Sequence, residues 1–312
     1  MKNGTIWYDN HGETIQAHGG AIIQYNEVYY WYGEHKGKPN IPGKQAVPLI
    51  GVSCYSSPDL IHWEYEGLAL SAVPNDPDSP LAPDHICERP KVLYCEKTDT
   101  FVMWMHLDNP ARTYAGAGVA IADDPRGPFT FLSSMKPNRL DSRDMTLFQD
   151  SDGTVYLVHA ANYNRTLYFS SLTDDYTALT GLTFPVLIDQ YREAPAIMKK
   201  DGTYYMISSG CTGWSPNSAL YAEADYLIGP WKLIDNPCEG PNYRQTFGGQ
   251  STYIFYVNDQ PHLMLDHWNA EHLQDSGYSI LPITFDHNLL TVRWQNEFMP
   301  LASVNRNEEI RK

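Results

Sequence analysis

Five polar residues, His18, Glu88, Asp144, Glu193 and Gln250, each stand at the head of a short apolar run. The clearest case is Arg192-Glu193-Ala194-Pro195, which leads through Ala196-Ile197-Met198 to Asp201-Gly202 and a second run, Tyr204-Tyr205-Met206-Ile207. Asp-Gly between two apolar runs is a strong hairpin signal. Proline lacks an N–H and suits the first residue of a strand better than its middle. That reading leaves Glu193 just outside the strand, where a carboxylate faces a ligand rather than a ladder. Three carboxyl groups among five such residues become useful if the fold gathers them. Ionised together they repel one another, so at least one takes a raised pKa and keeps its proton near neutrality. A protonated acid beside ionised carboxylates is what glycosidic cleavage needs, since the acid protonates the leaving oxygen while water or a nucleophile attacks the anomeric carbon. The chain has no phosphate-cradling glycine loop, no GxSxG elbow and no HExxH helix to suggest other chemistry.

The elements that must position these residues repeat. Each head residue is followed by a strand, a turn and an aromatic strand, as in His18-Gly19-Gly20-Ala21-Ile22-Ile23 and Val28-Tyr29-Tyr30-Trp31-Tyr32. Third strands read at Gly51–Ser57 and Ala117–Ala122, and matching tails, Gly127-Pro128-Phe129 and Gly229-Pro230-Trp231, fall in the second and fourth units. In the first unit, Asp59-Leu60-Ile61-His62-Trp63-Glu64 reads as the closing segment. Self-similarity at intervals of roughly 50–70 residues, with about four strands per unit, is a propeller signature. A sandwich of hairpins would not repeat this order. The expectation is an all-β, five-bladed β-propeller, one domain over residues 1–312. Its blades start near residues 18, 88, 144, 193 and 250, no carbohydrate-binding module is attached, and Ile6-Trp7-Tyr8 closes the ring against Thr291-Val292-Arg293-Trp294. Equivalent positions around a propeller meet at one mouth of the channel, so the five head residues are expected to converge.

The composition agrees. Hydrophobic residues make up 42% and aromatics 13% of 312 residues, enough for a core, and 22 Gly with 22 Pro imply many tight turns. A net charge of −15 with no basic run excludes phosphate-neutralising binding to nucleic acid. No apolar run reaches membrane-spanning length. The five cysteines, Cys54, Cys87, Cys95, Cys211 and Cys238, are odd in number and form no CxxC pair, which reads as buried free thiols in a reducing compartment. With no apolar segment at the N-terminus, the expected location is cytoplasmic; the alternative is a secreted or periplasmic protein read without its signal.

The chain resembles glycoside hydrolase family 43 over nearly its whole length. In that family a general-acid Glu heads blade four, often followed by Ala-Pro, and a pKa-modulating Asp heads blade three. Glu193-Ala194-Pro195 and Asp144 match these positions. Blade one departs from the family pattern, with His18-Gly19-Gly20 where a base Asp usually stands. Together with Glu88-Arg89-Pro90 and Gly248-Gly249-Gln250-Ser251-Thr252, this departure resembles the exo-β-1,3-galactanase branch. The resemblance implies an inverting enzyme that releases galactose from the β-1,3-galactan backbone of arabinogalactan. Glu193 would be its acid, Gln250 would position or activate the water, even as the imidic acid, and Glu88 and Asp144 would hold the sugar. A neutral amide is a poor base and more naturally positions water through its carbonyl oxygen.

Further candidates for substrate contact are Glu34, Tyr114, Asn164, Thr212 and Trp214, with Asn162, Asp266 and His267 behind them; all lie after second or third strands. No cofactor is expected. Some relatives hold a channel cation through a blade-five His, and His267 is the residue here that would serve a calcium ion. Rival readings are an α-L-arabinofuranosidase or β-xylosidase of the wider family, and a catalytically silent galactan-binding propeller.

Overall fold

The computed structural model describes residues 1–300. Its strands gather into five sheets. The first blade holds β1 (His18–Tyr25), β2 (Val28–Glu34), β3 (Gly51–Ser57) and β4 (Glu64–Ser71). The second holds β5 (Ile86–Cys95), β6 (Thr100–Asp108), β7 (Gly116–Ala122) and β8 (Thr130–Met135). The third holds β9 (Met145–Gln149), β10 (Val155–Ala161), β11 (Thr166–Leu172) and β12 (Leu179–Val186). The fourth holds β13 (Arg192–Lys200), β14 (Thr203–Gly210), β15 (Leu220–Ala224) and the short β16 (Lys232–Leu233). The last contains β18 (Gln250–Val257), β19 (Gln260–His267), β20 (Gly277–Asp286) and β21 (Leu289–Arg293), and β17 (Cys238–Glu239) pairs parallel to its outer edge. Within each blade these strands pair antiparallel in chain order. First strands of neighbouring blades touch all round: β1 with β5, β5 with β9, β9 with β13, β13 with β18, and β18 with β1. The fold is a five-bladed β-propeller. Residues 301–312 of the expected domain lie outside the described residues.

Each pair of neighbouring blades encloses its own hydrophobic core. Between blades five and one the fully buried Trp31 packs edge-on against Trp7, Trp63 and Tyr278. The aromatic second strands of the sequence repeat are therefore inter-blade packing elements, and burying such rings is a large hydrophobic contribution. Ring closure differs from expectation in its residues. Lys2 bridges Glu297, Thr5 bridges Tyr278, and Trp7 stacks on Phe298. The N-terminal segment closes on blade five, but through β20 and the segment after β21 rather than through Thr291–Trp294. Of the closing segment expected at Asp59–Glu64, only Glu64 is in a strand; the rest is a turn, with Asp59 Oδ1 accepting the N–H groups of Ile61 and His62. The fourth strand, β4, follows it.

The predicted hairpin turn is present: Asp201 and Gly202 have φ of 51° and 87°, as a type I′ turn requires. Pro195 is not the first residue of its strand. β13 begins at Arg192, and Glu193 pairs with Ser209; Pro195 lies in a bulge between Glu193 and Ala196. A bulge leaves one residue without a ladder bond and so tolerates proline. Pro90 occupies the same kind of bulge between Glu88 and Lys91, and β1 carries one between His18 and Ala21. In all three, the residue after the head has positive φ: Gly19 59°, Arg89 56° and Ala194 51°. Bulges re-aim side chains next to active sites, and here they lie at the heads of three of the five inner strands, β1, β5 and β13.

Glycine is required at the first of these bulges. A Cβ on Gly20 would lie 1.7 Å from the Tyr32 carbonyl oxygen, which is backbone and cannot rotate away. Gly20→Ala is expected to cost about 3 kcal/mol of stability, read as a lower urea midpoint at unchanged slope.

Candidate active site

At the mouth carrying the heads of the inner strands lies an open cavity of about 770 Å³. Glu88 on β5, Asp144 just before β9, Glu193 on β13 and Gln250 on β18 all line it. His18 does not. It is fully buried, stacked on Tyr278 at 4.8 Å, with Nε2 3.1 Å from the Tyr278 hydroxyl and Nδ1 3.5 Å from Asp266. It ties blade one to blade five beneath the site. Blade one contributes Glu34 instead, the β2 residue paired with His18 across the sheet. Gly19 makes room for it, since a Cβ there would meet Glu34 Oε1 at 2.2 Å.

Five carboxyl groups line the cavity: the exposed Asp84 lies 2.9 Å from His85 Nδ1, and three of the other four are held by cations. Lys36 Nζ lies 2.6 Å from Glu34, Arg89 lies 2.8 Å from Asp144, and Arg112 lies 3.9 Å from Glu88. Burial alone would raise the pKa of Glu88, but the charges of Lys36, His106, Arg112 and Arg89 outweigh it and hold the group below its ordinary value. Burial raises Glu34, with Lys36 opposing and the Glu88 charge adding. Glu193 makes no ion pair among the described residues. Asn164 Nδ2 donates to it at 3.0 Å and Gln250 Nε2 at 3.1 Å, and the Cys211 thiol lies beside it. Burial, reinforced by the Asp144 charge and opposed by Arg89, pushes Glu193 up to about 8. At neutral pH this group keeps its proton.

Gln250 is almost fully buried and both ends of its amide are taken. Its Oε1 accepts from the Arg89 guanidinium at 2.6 Å and from the Trp268 indole N–H at 3.0 Å. Its Nε2 donates to Glu193 and, at 2.9 Å, to Ser209 Oγ. The sequence reading expected the carbonyl oxygen to hold the water; in this arrangement that oxygen is already occupied by two donors.

Arg89, Lys36, Trp268, Ser209 and Arg112 were not picked out by sequence reasoning. Arg89 reaches across to Asp144, Gln250 and the Ser251 carbonyl, 3.2 Å away. Its position in Glu88-Arg89-Pro90, inside the bulge, was the available signal. Among the other candidates, Thr212 and Trp214 line the cavity, and Trp214 meets Trp268 edge-to-face at 5.0 Å. Asn164 acts on Glu193. Asn162 is turned to the Tyr168 hydroxyl. Tyr114 is no part of the cavity wall, and its hydroxyl donates to Ser134. Asp266 is buried and accepts the Gly19 N–H at 3.1 Å.

His267 lies 2.7 Å through Nε2 from Ser279 Oγ, and burial lowers its pKa to about 4. Calcium takes six to eight oxygen ligands. Among the described residues no group of three or more His, Cys, Asp or Glu is placed to hold a metal ion. Four cysteines are buried as expected, whereas Cys211 is exposed.

The sequence profile of Glycosyl hydrolases family 43 matches residues 16–281. A GH43 β-1,3-galactosidase solved with galactodeoxynojirimycin is 36% identical, with 96% of this chain and all of that one covered at a TM-score of 0.88. An exo-β-1,3-galactanase from Phanerochaete chrysosporium, solved with β-1,3-galactotriose, is 33% identical with a TM-score of 0.85 over 94% of this chain and 66% of that one. The exo-β-1,3-galactanase of Clostridium thermocellum is 35% identical with a TM-score of 0.81, covering 94% and 64%. A β-D-galactofuranosidase of Aspergillus niger is 26% identical over 232 residues, 66% of each chain. This chain thus spans about two thirds of the length of the fungal and clostridial relatives. Matched over most of its length by the family profile and by these structures, the chain belongs to glycosyl hydrolase family 43.

Proposed function

We propose that the protein is an exo-acting, inverting β-1,3-galactanase that releases galactose from β-1,3-linked galactan or galactooligosaccharides, with Glu193 as general acid. The observation that carries this reading is Glu193, a cavity carboxyl group with no ion pair among the described residues, pushed up to about 8 by burial and the Asp144 charge and set beside three carboxyl groups that pair with cations. Glu193 gives its proton to the glycosidic oxygen while water attacks the anomeric carbon from the other face. Glu88, Asp144 and Glu34 supply charged acceptors for the sugar hydroxyls. Inversion needs about 6.5–9.5 Å between the acid and the group that holds the water. The Gln250–Glu193 contact of 3.1 Å is shorter, so an entering sugar has to open it. The galactose-active relatives support the choice of substrate.

Incubation with β-1,3-galactooligosaccharides is expected to release galactose one unit at a time, while nitrophenyl arabinofuranoside and xyloside remain intact. Cleavage of those two glycosides without galactose release would overturn the assignment. The Trp214 ring on the cavity wall offers an apolar face to the C–H face of a sugar. Trp214→Ala is expected to raise KM for β-1,3-galactotriose about 2- to 12-fold, with kcat changed less than twofold in initial-rate assays.

A further inference from the structure

We propose that Arg89 is the positioning residue of the reaction: with the Trp268 indole, it grips Gln250 by the amide oxygen, so that the nitrogen is the end turned to Glu193. This rests on the reading of Glu193 as acid. The geometry is specific. One guanidinium nitrogen, Nη2, donates both to Gln250 Oε1 at 2.6 Å and to Asp144 Oδ2 at 2.8 Å, and Nη1 donates to the Ser251 carbonyl. The backbone N–H of Arg89 donates to Glu34 Oε1 at 2.9 Å. One residue of blade two therefore touches the heads of blades three and five and the Glu34 side chain of blade one.

An amide in isolation has two nearly equivalent orientations. Here one is strongly preferred. Arginine and the indole N–H are donors only, so flipping Gln250 would set its NH2 against two donors and leave its oxygen facing Glu193 and Ser209. Arg89 is itself held in the left-handed region, with φ of 56°, beside Pro90 in the β5 bulge. That conformation costs a non-glycine residue strain, and the four-way contact compensates for it. When a sugar opens the Gln250–Glu193 contact, the nitrogen is released and the oxygen stays anchored. A cation on the oxygen also withdraws electrons from the amide and makes its N–H a stronger donor.

The groups facing Glu193 from the elements packed around it are Asp144 before β9, Arg89 on β5, Gln250 on β18, Asn164 after β10 and Cys211 after β14. Arg192, its neighbour on β13, turns away to bond Ser208. Arg89 is the cation that acts most on the affinity of Glu193 for its proton, and Arg192, although turned away, also feels the Glu193 charge.

The test uses Arg89→Lys, Arg89→Ala and Trp268→Phe in the full chain, assayed on the glycoside that the wild type cleaves best. Lysine keeps the charge but, as a point donor, cannot span Asp144, Gln250 and Ser251. Arg89→Lys is expected to lower kcat about 10- to 100-fold with KM within threefold. Trp268→Phe is expected to lower kcat about 3- to 10-fold. In Arg89→Ala the basic limb of the kcat/KM profile should move to higher pH, and added guanidinium chloride at millimolar levels should restore part of kcat where ammonium does not. Arg89→Lys within threefold of wild-type kcat, or no guanidinium rescue in a folded Arg89→Ala, would overturn the proposal. Titration of the Glu193 carboxyl carbon by NMR in wild type and Arg89→Ala needs no substrate. An upward shift in the variant supports the Arg89 role whatever the glycoside, and an unchanged titration contradicts it. Failure to release galactose would count against the substrate reading alone.

Discussion

Glu193→Gln is expected to lower kcat on β-1,3-galactotriose about 10²- to 10⁴-fold, the range that a positioned general acid contributes. Glutamine keeps the size and one of the two contacts, since its single amide oxygen accepts from Asn164 or from Gln250 but not from both, and it has no acidic proton for the glycosidic oxygen. Loss should be much smaller on a nitrophenyl galactoside, whose leaving group departs without protonation. That contrast separates an acid from a residue that merely binds sugar. A general base lost by mutation would depress both substrates alike. The same variant should be more stable than the wild type, and the pH dependence has a definite sign. A free carboxyl titrates near 4.5 and the folded one near 8, so between these values folding takes up a proton and stability falls as pH rises. Glu193→Gln removes that penalty. Its gain in melting temperature should therefore be larger at pH 8 than at pH 5, as calorimetry at the two values would record. A variant with near wild-type turnover on galactotriose contradicts the assignment.

Asp144→Asn is expected to have the second largest effect, a fall in kcat/KM of about 10²-fold or more at pH 7. Two losses coincide. The sugar loses a charged acceptor, and Glu193 loses the anion that helps to keep its proton. Arg89, freed from its partner, then acts on Glu193 without compensation. Both changes lower the pKa of Glu193, so the basic limb of the pH profile should move to lower pH, opposite to the shift expected for Arg89→Ala. Activity should recover in part on acidification. A limb that stays in place would show that Asp144 binds sugar without tuning the acid. For the wild type, activity is expected to fall as pH rises through about 8, because the acid must be protonated to act.

The propeller was legible because its repeat is carried by residues with strong local signatures. Proline after a head residue, Asp-Gly between apolar runs and aromatic second strands each have one natural reading. The outermost strands were less so. β8 and β12 are largely exposed along their length and show no clean alternation, so the sequence there looks like a loop. Bulges were misplaced for a related reason. Pro195 and Pro90 each suit a strand start and a bulge equally well by their missing N–H, and only the register decides. Sequence position correctly aligned Glu88, Asp144, Glu193 and Gln250, because equivalent strand heads share one channel mouth. It failed for His18, where the bulge turns the ring inward onto Tyr278 and leaves Glu34 to fill its place. Arg89 was hidden because its partners come from blades three and five, and a long side chain in a bulge can reach in several directions. The charge pattern that singles out Glu193 is likewise a property of the assembled cavity. Lys36 and Arg112, which neutralise Glu34 and Glu88, are remote from Glu193 in sequence.

The most direct test of the account is proton NMR of the first product from β-1,3-galactotriose. Anomeric signals are followed in the minutes before mutarotation in wild type and Glu193→Gln. Inverting, exo-acting cleavage of a β-linkage predicts α-galactose and galactobiose as the first products of the wild type, and neither from the variant on the same timescale. Initial β-galactose, internal cleavage of longer oligosaccharides, or equal turnover by Glu193→Gln would contradict it.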